Sequence, residues 1–138
     1  MHILRLVGYF LDAHMNPFGM YLASLRLQHR MKQKDLAEAL GVNASYISGI
    51  ESGRKSPPSS KMISEIAKAM RLSDVEKTEL WNYADQSIKV VHIPDDLPLE
   101  GYAFMQELRK SMGSLSSKHF NALRSVVSLS DSENNMKK

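Results

Sequence analysis

The chain has 138 residues, of which 43% are hydrophobic and 24% charged, and it contains no cysteine. This composition is typical of a soluble globular protein, and it excludes disulfides, thiol nucleophiles and thiolate metal sites. No apolar stretch is long enough to cross a bilayer, and we expect a cytoplasmic location. The length suits one domain, or a small domain of about 70 residues followed by an oligomerisation segment, and the second arrangement fits the pattern better.

Residues 1–16 are interpreted as an N-terminal extension. Ile3, Leu6, Val7 and Phe10 recur at intervals of three and four residues, which predicts a helix. Arg5 interrupts the apolar stretch and no small-residue cleavage site follows, so a secretory signal is not expected. The extension either packs on the C-terminal part of the chain or has little role.

Five helices are predicted between residues 17 and 87. Pro17 suits the first turn of a helix that ends at about Arg30. Two short helices follow between residues 33 and 53, and a fourth begins after the prolines of RKSPPSS. The fifth opens with a capping box from Ser73 to Glu76 and ends at about residue 87. Its residues predicted to complete the core are Leu80, Trp81, Tyr83 and Ala84.

The stretch QKDLAEALGVNASYISGIESG, residues 33–53, organises the rest of the chain. Its apolar residues fall where each of two amphipathic helices turns a side chain toward the other, at Leu36, Leu40, Val42, Ile47 and Ile50. Ala37 is expected at the closest crossing of the two helices. Gly41 is expected to end the first in a left-handed conformation, and Asn43 to cap the second with its side chain.

With Leu25 and Arg26 upstream, and Arg54, Lys55 and Pro57 downstream, this stretch resembles the helix-turn-helix of the lambdoid phage repressor and Cro family. That family is also called the xenobiotic-response-element family of bacterial regulators. The resemblance covers roughly residues 17–87. It implies an all-α, five-helix domain that binds double-stranded DNA, and hence association with the nucleoid. It also implies that Arg26 pairs with Glu51.

The resemblance further assigns the residues that meet DNA. It places Ala44, Ser45, Ser48 and Gly49 against the bases, and Tyr46 at the border between bases and backbone. It implies that Gln33 contacts a phosphate of the DNA backbone. The residues expected to assist Gln33 are Asn43, Arg54, Lys55 and Ser56. Ala44 departs from the best-known phage repressors, which have at this position a glutamine that hydrogen-bonds adenine. We therefore expect few direct contacts between side chains and base edges.

Charge supports this assignment. Residues 26–61 hold seven basic side chains against three acidic ones, a net charge of +4, whereas the whole chain carries +3. Positive charge is therefore concentrated around the predicted reading helix, as expected of a surface that faces phosphates.

The composition changes at residue 88. IKVVHIP reads as an extended segment or a short strand, within a linker predicted over residues 88–101. Two helices are predicted within residues 102–129, and a disordered tail over residues 130–138. These helices have too few apolar groups to be stable alone, so we expect them to form a dimerisation hairpin. Its contact residues are predicted to be Phe104, Leu108, Phe120, Leu123 and Val127.

No catalytic constellation, cofactor motif or metal-ligand spacing is found. Ser111 and Lys118 are read as helix-end polar residues, since too little chain follows residue 87 for a self-cleaving domain. The favoured function is a homodimeric repressor that binds a near-palindromic operator. Two alternatives remain: an antitoxin whose residues 1–16 or 88–129 mask a toxin, and a protein-bridging, coactivator-like module with an unused groove face.

Overall fold

The computed structural model describes residues 15–136, so the predictions made for residues 1–14 lie outside the described part. Within that range every regular element is helical, as predicted. The helices are α1 (Pro17–Gln28), α2 (Gln33–Leu40), α3 (Ala44–Glu51), α4 (Ser60–Ala69), α5 (Asp74–Gln86), α6 (Leu99–Ser111) and α7 (Ser117–Met136), with a 3-10 turn at Met112–Ser114. Residues 88–94 form no regular structure, so the strand alternative is wrong. The chain divides into two compact units, one ending at Val91 and the other beginning at His92.

The first unit is built around one apolar core to which all five of its helices contribute. Its largest fully buried apolar side chains are Phe18, Leu22, Leu25, Leu36, Ile47, Ile50, Ile66 and Leu80. Trp81 was predicted to join them, but 40% of its surface is exposed. One residue step turns a helix by about 100°, so the residue after the buried Leu80 points away from the core.

Side-chain caps fix where three of the helices begin. Asn16 accepts a hydrogen bond from the backbone N–H of Gly19 at 2.8 Å, and Ser59 accepts one from Met62 at 3.3 Å. The predicted capping box of α5 is confirmed, because Ser73 and Glu76 exchange hydrogen bonds of 2.8 and 3.2 Å. Each cap satisfies backbone donors that the first turn of a helix leaves unpaired.

Four helices of the first unit are followed by a left-handed residue. Glycines take this role after α2 and α3, at Gly41 with φ of 68° and Gly53 with φ of 75°, whereas Arg30 and Arg71 take it after α1 and α4, with φ of 54° and 51°. At the end of α1 the N–H of Met31 donates to the carbonyl of Arg26 at 2.9 Å, which closes the turn. A side chain in the left-handed region costs free energy that glycine avoids.

Gly19 lies where α1 crosses the end of α3. A Cβ added there would stand 2.4 Å from the carbonyl oxygen of Ile50 and 2.7 Å from that of Glu51. Both obstacles are backbone atoms, which cannot rotate away. The closeness of α1 to α3 therefore depends on a glycine at this position, which the sequence pattern did not indicate.

A buried hydroxyl joins the start of α1 to the end of α5. Ser87 accepts a hydrogen bond from the backbone N–H of Phe18 at 2.9 Å and donates one to the carbonyl of Tyr83 at 2.7 Å. The start of α1 and the end of α5 are therefore held side by side.

In the second unit, α6 begins at Leu99, three residues earlier than predicted, so the linker is shorter than residues 88–101. Pro98 has φ of −66°, which suits the entry to a helix, and its carbonyl accepts the N–H of Gly101 at 2.9 Å. Leu97 lies across the first turn, since a Cβ at Gly101 would stand 2.6 Å from Leu97 Cγ. The glycine that looked like a linker residue thus makes room for an apolar contact.

The last helix is longer than predicted. It runs to Met136, so the prediction of disorder is wrong for residues 130–136. The polar composition favoured disorder, but the segment contains neither glycine nor proline, and nothing in it stops a helix already started. Ser128 and Ser130 donate hydrogen bonds of 2.8 and 2.7 Å to carbonyls of the preceding turn.

Candidate nucleic-acid interface

Helix α3 has one buried face and one outer face. Ile47, Ile50 and Glu51 point inward and are at most 1% exposed. Ala44 and Ser45 are exposed at its N-terminal end, Ser48 is half-buried, and Tyr46 is half-buried against the core. The outer face therefore carries only short side chains, and that leaves room for another molecule to approach the helix closely.

Asn43 occupies the N-cap position of α3, but its side chain makes no capping hydrogen bond, so that expectation is wrong. The turn is closed instead by the backbone, with the N–H of Tyr46 donating to the carbonyl of Asn43 at 3.0 Å. The exposed carboxamide of Asn43 thus remains available beside the backbone donors of the first turn, where the helix dipole favours an anion.

Arg26 and Glu51 form a buried ion pair that ties α1 to the end of α3. Arg26 donates to the two carboxylate oxygens of Glu51 at 2.6 and 3.2 Å, and to the carbonyl of Met31 at 2.8 Å. The two side chains are 9% and 1% exposed. Such a two-point contact fixes both distance and angle between the helices.

Gln33 joins the same network. Its amide nitrogen donates to Glu51 at 2.8 Å, which ties the first residue of α2 to the last of α3. The family resemblance implied that Gln33 contacts a phosphate of the DNA backbone. In the structure one of its amide hydrogens is engaged within the protein, while the side chain remains half-buried at the start of α2.

Gly49 was expected to be solvent-facing, and this is wrong, because the residue is buried. Its cover is the side chain of Lys55, whose Cδ, Cε and Cγ atoms lie 3.0 to 3.2 Å from the place a Cβ would take. The Lys55 ammonium lies 5.9 Å from the centre of the Tyr46 ring. A cation therefore lies on the outer face of α3.

Arg54 takes a different direction from Lys55. Its Nε donates to the hydroxyl of Ser52 at 3.0 Å, and its terminal nitrogen comes within 3.5 Å of the hydroxyl of Ser48. Ser56 follows and is exposed. Two cations thus border the short side chains of α3 on different sides, and this surface suits a polyanion.

Neither a metal site nor a membrane span is found in the described range. Between residues 15 and 136 no group of three histidine or acidic side chains could hold a metal ion. In the same range no helix combines the length and the apolar character that a membrane span requires.

The structure brings together the five residues predicted for dimerisation. They line an open groove of about 470 Å³ between α6 and α7, with Met112, Arg124, Val126 and Ser128. Phe104 is 47% exposed, Phe120 41% and Val127 66%. No residue of α6 or α7 is buried, so these helices lack a core of their own.

Two short helices held at a fixed angle, with a cationic outer face on the second, define a DNA-binding helix-turn-helix domain. Residues 22–77 match the helix-turn-helix family model HTH_3. This segment, which is less than half of the chain, is similar to a helix-turn-helix family, in agreement with the resemblance to the lambdoid repressor and Cro type. No curated protein and no solved structure gives a significant match to the chain.

Proposed function

We propose that the protein is a homodimeric transcriptional repressor that binds a near-palindromic operator, with the N-terminal part of α3 in the major groove. The observation that carries the proposal is the outer face of α3, where exposed short side chains lie between the cations of Arg54 and Lys55. A helix with this surface can enter the groove without a steric barrier, while the positive charge beside it favours the approach of a polyanion.

The buried network supports this role. Since Arg26, Gln33 and Glu51 join α1, α2 and α3, the reading helix cannot turn without breaking charged hydrogen bonds. The start of α2 and the start of α3 are then presented to DNA as one rigid surface. Gln33 has a second amide hydrogen, which it can donate to a phosphate.

The C-terminal unit supports the dimer. Its helices α6 and α7 bury no residue and leave an apolar groove open, so their folding free energy must come from another surface. A second copy of the same groove is the occupant we propose, because a two-fold axis pairs identical apolar faces and also places two reading helices on one operator. The reading helices then lie roughly 34 Å apart, one turn of DNA.

Selection of bound fragments from random DNA tests the function directly. We expect two inverted half-sites about one helical turn apart, and binding that weakens as salt is raised. A purified full chain that selects no sequence would contradict the proposal.

Ser45→Glu tests the position of α3. Its carboxylate would face the groove and its phosphates, so operator affinity should fall roughly a hundredfold while the melting temperature is unchanged. The matched control is Asn82→Glu on the exposed surface of α5, which adds the same charge and should have little effect. Equal losses for the two variants would place the DNA on another surface.

Leu123→Asp tests the dimer in the full chain. A carboxylate in the groove should give a monomer with much weaker operator binding, whereas Ser125→Asp, which lies outside the groove, should leave the dimer intact. A Leu123→Asp protein that still sediments as a dimer would reassign the groove to another partner, such as a toxin.

A further inference from the structure

We infer that Lys55 reads a base in the major groove, a guanine, and does not serve merely as a phosphate contact. The inference rests on the proposed function, which places the outer face of α3 in the groove. It makes Lys55 a specificity-determining residue, although Lys55 lies four residues beyond the end of α3.

The first observation is that Gly49 points outward and is nevertheless buried. Residues 45 and 49 are one helical turn apart and share the outer face, opposite the buried Ile47 and Ile50. The position that a side chain at 49 would fill is taken by the methylene groups of Lys55, which come within 3.0 to 3.2 Å of it. The side chain of Lys55 therefore occupies the space that a side chain at position 49 would fill.

The second observation is that Lys55 is held in this place from both ends. Its backbone N–H donates to the carbonyl of Gly49 at 2.9 Å, and its ammonium lies 5.9 Å from the centre of the Tyr46 ring. An attraction between the ammonium and the ring stabilises this conformation. The side chain is thus directed back along α3.

The neighbouring cation shows the contrast. Arg54 turns toward Ser52 and Ser48, on a different side of the same face. Its guanidinium is placed to hold a phosphate at the border of the groove, whereas the Lys55 methylene groups cover position 49 on the outer face and its ammonium lies beside the Tyr46 ring. The two adjacent cations are therefore suited to different parts of the DNA.

The chemistry of the groove selects the base. An ammonium offers only hydrogen-bond donors, and guanine presents two acceptors, N7 and O6, in the major groove. The short side chains of Ala44 and Ser45 let the helix approach closely enough for a lysine lying on its surface to reach a base edge.

The test uses the full-length protein and the operator that it selects from random DNA. Lys55→Met keeps the methylene cover over Gly49 and removes the ammonium. It should lose preference at one symmetric pair of guanines, and each half-site should be bound roughly 5- to 150-fold more weakly. The slope of affinity against salt should stay the same, because no phosphate contact is lost. Lys55→Arg should keep the preference for guanine.

Two further variants make the result specific. Gly49→Ala keeps every charge but displaces the Lys55 side chain, so it should weaken the same guanine preference. Lys34→Met on α2 also removes one exposed cation, but it should change affinity alike for all sequences.

Uniform weakening by Lys55→Met, with a salt slope shallower by about two, or about one for each subunit of the dimer, would make Lys55 a phosphate contact and overturn the inference alone. A wild-type chain that selects no sequence would overturn the proposed function and this inference together.

Discussion

Replacing Gly19 by alanine tests the contact between α1 and α3. Two effects of opposite sign compete. Alanine in a helix is favoured over glycine by roughly 0.5 to 1 kcal/mol. Against this, the new Cβ would stand 2.4 Å from the Ile50 carbonyl oxygen and 2.7 Å from that of Glu51. The two helices must separate to admit it.

Overpacking of a well-packed core costs about 1 to 3 kcal/mol, and here the obstacle is backbone, so the upper part of that range applies. The clash therefore exceeds the gain in helix propensity, and the net loss should be roughly 1 to 2 kcal/mol. For a domain of this size each kilocalorie lowers the melting temperature by about 4 to 8 °C. Thermal unfolding followed by circular dichroism measures the change.

Gly49→Ala is the matched control. Its Cβ would meet only the flexible side chain of Lys55, at 3.0 Å, so the propensity gain should prevail and the variant should be as stable as the wild type or more stable. The reasoning is refuted if Gly19→Ala melts at or above the wild-type temperature, because α1 would then not lie so close to α3.

Three further outcomes are expected. Arg26→Met and Glu51→Gln should each lower the free energy of unfolding by about 3 kcal/mol or more, because each leaves a buried charged or polar partner unpaired. The double variant should lose less stability than the sum of the two single variants. Strictly additive losses in denaturant unfolding would exclude coupling between the two residues. Arg71→Gly should raise the free energy of unfolding by about 0.5 to 1 kcal/mol, because glycine adopts the left-handed conformation at this position without the backbone strain that arginine has. An unchanged or lower free energy of unfolding would argue against strain at residue 71. Burial and the 2.7 Å hydrogen bond to Glu79 raise the pKa of Tyr21, so the folded state holds the phenol proton more tightly than the unfolded state does. The free energy of unfolding should therefore fall as pH rises above 10.0, and it should fall less steeply in Tyr21→Phe. Parallel pH profiles for the two proteins would contradict the assignment.

The helices of the first unit could be predicted because their signals are local. Apolar residues at helical spacing and the Ser73 capping box each act within a few positions of the chain, and the structure follows them. Trp81 was wrongly predicted to lie in the core. The preceding residue, Leu80, faces the core, so the side chain of Trp81 points in another direction. The end of α7 was missed because composition was weighed above the absence of a residue that stops a helix.

The interface was harder to predict, since its details depend on contacts between distant parts of the chain. Gly19 resembles any weak helix residue until α3 is placed against it. Gly49 belongs to the outer face by periodicity, and its burial comes from Lys55, six positions later. Asn43 has the residue type of a helix cap, but the backbone of Tyr46 closes the turn instead. Sequence pattern identified the surface, and packing decided which side chains occupy it.

The hydroxyl of Ser87 brings the start of α1 and the end of α5 to one place. Residues 18 and 87 are a single hydrogen bond apart, although 69 positions separate them. A short peptide could therefore join these two helix ends without altering the core. The same closeness means that tension on the linker would first act on the Ser87 bond and the start of α1. Under load the unit should open from that end, while α2 and α3 hold together longest.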